Sequence, residues 1–291
     1  MSAHHNKPIL GILLALLGAI SLSAMGECVK YVGKDVPDGF ILFARFFVSF
    51  LVLLPFVLQD KNFSFRVNNM KGLFARSIFG FIAMMCFFQT LKSMPAANAM
   101  LLINTAPIFV PLILYILTKT KTKKSVIFSI FISFIGVGII IDPSSGVIQP
   151  SMIIGLTAGL FASVATVLLR VVGKQNTPNQ MMFYYFLFCT LLGLAAGVYY
   201  WQPLSGVNWL AMLFVGIFGV LYQFGLTYAL KYTQVRIVSP ILLTAILYSG
   251  VFDWFIRGIM PGMKFSIGAL VLIIGIIFVI IFSSTKKNTE Q

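Results

Sequence analysis

Residues 8–34 read PILGILLALLGAISLSAMGECVKYVGK, and residues 148–174 read IQPSMIIGLTAGLFASVATVLLRVVGK. Each is an apolar run of roughly 20 residues, the length that crosses a bilayer core as an α-helix. Each closes on the same three residues. A shift of 140 lays Val32-Gly33-Lys34 on Val172-Gly173-Lys174, Ser23 on Ser163 and Lys30 on Arg170, and brings Phe43 and Phe46 onto Phe183 and Phe186. A shift of 139 lays Gly80 on Gly219, Leu91-Lys92 on Leu230-Lys231, Thr105 on Thr244 and Gly136 on Gly275. Leucine and isoleucine matches carry nothing in so apolar a chain, but glycine and lysine matches at a nearly constant offset do. The chain reads as two copies of one helical unit, residues 8–142 and 151–284.

The composition demands a bilayer. Of 291 residues, 59% are hydrophobic and 10% charged, against about 25% charged in a soluble domain. A soluble fold has no way to cover that much apolar surface. Spans are expected at Pro8–Val32, Pro37–Leu58, Gly72–Leu91, Pro95–Thr118 and Ser125–Asp142, then at Ser151–Gly173, Asn179–Trp201, Asn208–Lys231, Gln234–Arg257 and Phe265–Ser284. The first run is longer than the roughly 7–15 apolar residues of a signal peptide, and it has a later counterpart, so it reads as a retained helix. Five spans per copy is an odd number, so the second copy enters the membrane from the opposite face. The expected fold is an all-α integral membrane protein of ten transmembrane helices in two inverted five-helix repeats. Many secondary transporters share this plan, with the substrate near the midplane between the repeats.

The net charge of +14 would suggest nucleic acid in a soluble domain. Here the basic residues mostly flank apolar runs and act as topology signals. With the N-terminus inside, Lys7, Lys61, Arg66, Lys71, Lys119, Lys121, Lys123, Lys124, Arg170, Lys174, Lys231, Arg236, Lys286 and Lys287 are cytoplasmic. Only Lys30, Lys34, Lys92, Arg257 and Lys264 are external. Both termini are therefore expected in the cytoplasm. Cys28, Cys86 and Cys189 fall inside spans as packing residues, His4 and His5 form no metal motif, and no metal or cofactor is expected. Trp201 and Trp209 suit an interfacial belt.

Ionisable groups within a bilayer are costly and tend to face a cavity. Arg45 lies roughly 12 Å into its helix, too deep to reach water. It reads either as an anchor for a carboxylate or phosphate or as a structural partner of helix ends. Asn104, roughly 13 Å into the fourth span, precedes Pro107, which frees a carbonyl in the preceding turn. Tyr185 falls on Arg45 under the shift of 140 and is expected on the opposite wall of one site. Asn98, Gln89, Gln223, Tyr228, Ser239 and Tyr248 are further candidates for substrate contact. Glu27 with Lys30, and Asp253 with Arg257, read as interfacial ion pairs at i,i+3 and i,i+4, or else as proton- or cation-coupling carboxylates. Arg76, one turn from the cytoplasmic end of its expected helix, reads as snorkelling to the surface.

The ten short-looped spans in two halves, Arg45 within Phe43-Ala44-Arg45-Phe46-Phe47, the junction Thr90-Leu91-Lys92-Ser93-Met94-Pro95-Ala96-Ala97-Asn98-Ala99, and Pro107-Ile108-Phe109 together resemble the drug/metabolite transporter superfamily, in its EamA-like branch. Tyr228-Ala229-Leu230-Lys231-Tyr232-Thr233 looks like the same junction in the second half, and Phe265-Ser266-Ile267-Gly268-Ala269-Leu270 looks like the start of the family's final helix. The chain departs from the family's frequent Leu-Gly-Glu after spans four and nine, and from its proline near Ile246. The resemblance implies a secondary transporter in the inner (cytoplasmic) membrane, moving a small metabolite such as an amino acid or nucleotide-like compound by alternating access. The segment Ala44–Phe50, followed by Leu53-Leu54-Pro55-Phe56, is also similar to S-adenosylmethionine uptake carriers. A membrane-embedded enzyme is the competing class, but no HExxH, Asp/His cluster or Gly-x-Ser-x-Gly elbow is present. A non-transporting scaffold is the third. Oligomeric state is left open.

Overall fold

A computed structural model of the chain describes residues 8–61, 63–118, 124–141, 149–197, 205–233, 238, 241–260 and 262–284. The described residues contain no strand. The helices are α1 (Pro8–Val32), α2 (Asp38–Gln59), α3 (Met70–Ser93), α4 (Ala96–Ile103), α5 (Ala106–Thr118), α6 (Lys124–Ile141), α7 (Pro150–Val172), α8 (Pro178–Gly197), α9 (Gly206–Tyr232), α10 (Thr244–Arg257) and α11 (Met263–Ser284). Six of them, α1–α3 and α7–α9, are long and apolar enough to cross a bilayer, with mean hydropathy between 1.4 and 2.5. Ile127, Phe128 and Phe131 on α6 and Ile267 and Leu270 on α11 stay more than half exposed. Such a surface suits acyl chains, which solvate hydrocarbon as water does not.

The fourth and ninth spans are broken where continuous helices were expected. Pro107 has no N–H for the carbonyl of Ile103, and α4 stops at Ile103. Asn104 turns, and α5 restarts at Ala106. Thr105 Oγ1 donates to the Leu102 carbonyl, one turn before the break, at 2.6 Å. In the second half no proline stands near Ile246, yet the chain turns at Leu243 and α10 begins at Thr244. There Thr244 Oγ1 donates to Ile241 O, again at 2.6 Å. The two breaks are 139 positions apart, so the threonine, present in both, accompanies the break where the proline does not. Residues 234–237 and 239–240, part of the expected ninth span, lie outside the described residues.

Helix pairing follows the repeat. α1 packs along α9 and α7 along α3, and these two pairs are copies of one another under the offset. α2 packs on α8, and α6 on α11, each helix against its own counterpart. Counterparts run antiparallel. Gly39 at the start of α2 meets Ala196 near the end of α8, while Gly193 meets Phe43. Likewise a Cβ on Gly136 would stand 2.5 Å from the Leu272 backbone nitrogen, and one on Gly275 would stand 2.7 Å from that of Ser133. Both distances bridge the same pair of repeat positions from opposite sides. The halves are inverted copies that interlock through small residues, as membrane helices do where no hydrophobic force distinguishes neighbour from lipid.

Gly136→Ala should therefore lower thermal stability in detergent by about 1–3 kcal/mol, because the methyl meets backbone. Gly138, with nothing within 4 Å of a Cβ, is the control. Gly138→Ala should be neutral or stabilising by up to about 1 kcal/mol. Equal melting temperatures for the two variants would contradict the α6–α11 packing.

Candidate functional site

Two guanidinium groups define the interior. Arg45 on α2 is 0% exposed. Its Nε donates weakly to Met25 Sδ at 3.3 Å, and its Cζ lies 4.3 Å from the Phe46 ring centroid. Arg76 on α3 is 5% exposed, with its Cζ 4.2 Å from the Tyr185 ring centroid. Nη1 and Nη2 of Arg45, and Nε and Nη1 of Arg76, have no hydrogen-bond partner among the described residues. Tyr185 on α8 links the two: it stacks beneath Arg76, stands edge-on to Phe46 at 5.6 Å, and lies within electrostatic reach of both arginines, as does Tyr222 on α9. Ser49 Oγ donates to Gly216 O at 2.8 Å, pinning α2 to α9 beside Arg45. Cys189 Sγ approaches Ser77 O at 3.5 Å and joins α8 to α3 beside Arg76.

Glycines make the room. A Cβ on Gly219 would stand 3.3 Å from Arg45 Cγ and Nε, and one on Gly80 would stand 2.9 Å from Tyr185 Cε2. Gly80 and Gly219 are repeat counterparts, as are Tyr185 and Arg45. The fold thus builds one crossing twice, and the sequence fills it with a cation in one half and a phenol in the other.

The two ends of the bundle are closed by different chemistry. At the end formed by α1, α4 and α10, Asp253 is 1% exposed. It accepts from Arg257 at 3.0 Å, lies 3.6 Å from Lys30 Nζ, and takes the Ala97 N–H at the start of α4 at 3.0 Å. A carboxylate at a helix N-terminus also meets the positive end of the dipole. Arg257 reaches Glu27 as well. The expected Glu27–Lys30 pair is thus exchanged across helices, because α10 presents a guanidinium to Glu27 and a carboxylate to Lys30. Gly258, at φ 67°, ends α10 directly after Arg257 and keeps it at this rim. Beside it opens a cavity of about 310 Å³, lined mainly by apolar groups such as Tyr31, Leu210 and Phe214, with Glu27 and Arg257.

The opposite end is closed mainly by neutral groups, with one carboxylate, Asp60, accepting from Asn179 Nδ2 at 2.8 Å. Gln180 Nε2 donates to Ser64 O and Arg66 O at 2.7 and 3.0 Å. Tyr184 OH donates to Phe65 O at 2.7 Å, and Asn68 Nδ2 donates to Gln175 O at 3.1 Å. Phe63 and Phe65 pack on Phe183. Residues 63–69 thereby lie across the start of α8.

The other residues singled out from sequence scatter. Asn104 turns its Nδ2 back on Met100 O at 2.7 Å, a local helix cap. Gln223 is buried and donates to Thr227 Oγ1 at 3.0 Å. Tyr228 donates to Asn179 Oδ1 at 2.5 Å, near the neutral closure. Asn98, Gln89 and Tyr248 are half-buried, and Ser239 lies outside the described residues. Arg76 does not snorkel. Its helix begins at Met70, two residues earlier than expected, where the Asn69 side chain caps Gly72 N at 2.8 Å, and residues 63–69 fold over that end. The extra half-turn puts Arg76 about 9 Å inside the helix. The Asn69 cap is the sequence signal that would have moved the start; for Tyr222 no such signal exists.

Comparison with known proteins agrees with this architecture. The model of the EamA-like transporter family matches residues 9–142 and again 149–281. An uncharacterized transporter of Helicobacter pylori strain J99 is 28% identical over 94% of this chain and 95% of its own. The pseudopaline exporter of Pseudomonas aeruginosa strain UCBPP-PA14 is 23% identical over 96% and 97%. An S-adenosylmethionine uptake transporter of Rickettsia felis is 24% identical over 97% and 95%. A solved crystal structure, 17% identical, superposes with a TM-score of 0.67 over 98% of this chain and 100% of that one.

An unpaired buried charge costs several kcal/mol, and a desolvated ring contact returns about 2 or somewhat more. Arg45→Met and Arg76→Met should therefore leave the melting temperature in detergent unchanged or raise it, by on the order of 1–4 kcal/mol in stability. A marked loss in both would identify the guanidiniums as structural ties.

Proposed function

Because this chain belongs to the EamA-like transporter family, we propose that it is a secondary carrier that passes a small organic metabolite across the cytoplasmic membrane by alternating access. The chain is a membrane transporter rather than an enzyme, as its named relatives are. The finer reading rests on one observation: antiparallel counterpart helices enclose two buried guanidiniums, each with two nitrogens that have no hydrogen-bond partner among the described residues. Residues 8–142 and 151–284 are the two bodies that rock. Both termini lie in the cytoplasm, which puts the ionic closure outside and the neutral closure inside. Opening outward separates Glu27 and Lys30 from Arg257 and Asp253. Opening inward lifts residues 63–69 from the start of α8.

Arg45, with Tyr185 on the facing half, is the substrate anchor. Asn104, Gln223, Asn98, Gln89, Tyr228 and Tyr248 are secondary lining in other conformations. Glu27 is the better coupling group of the two carboxylates, since its Oε1 has no partner while both Asp253 oxygens are engaged. S-adenosylmethionine is the first substrate to try. It carries a carboxylate for a guanidinium, and one relative is named for its uptake while another is named an exporter of a different compound.

In proteoliposomes loaded with unlabelled S-adenosylmethionine, the protein should drive uptake of the labelled compound. Arg45→Lys should lower that uptake by at least about tenfold, since an ammonium lacks the planar donor fork. Full uptake by Arg45→Lys would remove Arg45 from the site. Counterflow with amino acid or nucleotide substrates in place of S-adenosylmethionine would retain the carrier and change its cargo.

A further inference from the structure

We propose that Arg45 and Arg76 form a two-guanidinium site for an oxyanion, so that the transported compounds are organic anions or zwitterions held by a carboxylate or phosphate. This rests on the carrier reading and adds to it the chemistry of the cargo. Each guanidinium carbon lies over an aromatic ring, Arg45 over Phe46 at 4.3 Å and Arg76 over Tyr185 at 4.2 Å. A ring offers no lone pair to the N–H groups, and a guanidinium's N–H fork grips a carboxylate or phosphate through paired hydrogen bonds. Four guanidinium nitrogens are left without a partner, two on each residue.

Among the described residues, no carboxylate is hydrogen-bonded to these nitrogens. Among the described residues, the carboxylates found in ion pairs join Lys30, Lys92 and Arg257, all at the ionic end. The interior therefore holds two like charges with no counter-ion. A cargo bearing only positive charge would add a third. An oxyanion neutralises the pair and fills its donors, while Tyr185 and Tyr222, on the other half, face the same charges. Both arginines come from the first half and both phenols from the second, so the seam between the rocking bodies runs through the site. The unpartnered nitrogens are shut off from solvent in this conformation, and an oxyanion reaches them only as the halves part.

The test uses purified full-length protein in detergent, with thermal unfolding followed at constant ionic strength. The probes are inorganic phosphate, succinate, its uncharged analogue succinamide, and tetramethylammonium. Phosphate or succinate should raise the melting temperature saturably, and the other two should not. Arg45→Gln and Arg76→Gln should each weaken the apparent affinity at least tenfold, and Arg170→Gln, on α7 and outside the pair, should not. If a Gln variant does not fold, the corresponding Lys variant should show a reduced shift. A response to phosphate alone identifies a phosphate group, and to succinate alone a carboxylate. No saturable shift with either anion, a shift that survives in both Gln variants, or stabilisation by tetramethylammonium would overturn the site. Proteoliposomes that carry a purely cationic cargo with both arginines replaced would overturn it while sparing the carrier. Arg-dependent binding without flux in any direction would do the reverse.

Discussion

Two positive charges without a counter-ion, buried where neither water nor lipid can solvate them, constrain everything else in this molecule. A bilayer offers a polar group nothing, so each must find a partner inside the protein. The helical backbone does so through its own hydrogen bonds, and many serines and threonines do so by bonding carbonyls three or four residues back, as at Ser77, Thr90 and Thr105. Arg45 and Arg76 do not. Their rings and the Met25 sulfur hold them in place without satisfying them. A polar group kept at such a cost within a membrane is the mark of a pathway.

The architecture is symmetric and the chemistry is not. The offset of 139–140 relates helix pairs, glycine contacts and threonine-sealed breaks, so the backbone of each half repeats the other upside down. Yet one end is closed by ion pairs among Glu27, Lys30, Asp253 and Arg257, and the other mainly by amides, a phenol and backbone carbonyls, with Asp60 bonded to the Asn179 amide. The proposed cycle opens both closures in turn, but nothing requires them to be equally strong. Ion pairs at a rim weaken with salt, whereas neutral hydrogen bonds hardly respond. The two closures therefore answer to different conditions.

Much of this was legible in the sequence. Composition dictated the membrane, and the glycine and lysine register dictated two antiparallel copies. The same register makes Tyr185 the repeat counterpart of Arg45. What escaped depended on positions a few ångströms apart. Moving the start of α3 by two residues turns Arg76 from a surface cation into a buried one. Pro107 announced the break in the fourth span, but nothing local announced its twin at Leu243, where the repeat imposes a geometry that its own sequence does not demand. Asp253 and Arg257 pair at i,i+4 as expected, but Glu27 and Lys30 take their partners from α10, because i,i+3 spacing speaks for one helix and not for its neighbours. Asn104 stands at the depth that suggested a substrate contact, and in this structure its side chain bonds back to Met100 O, because the helix ends there.

The motion that links these parts is measurable directly. Spin labels at Lys34 and Met260 report the ionic end, and labels at Arg66 and Lys174 report the neutral end; all four positions are exposed. In a background with Cys28, Cys86 and Cys189 replaced, distance distributions in nanodiscs should move in opposite senses, the Lys34–Met260 distance lengthening in the population where Arg66–Lys174 is short. Two single, unchanging distances, or two that lengthen together, would contradict a carrier whose inverted halves rock about the buried arginines.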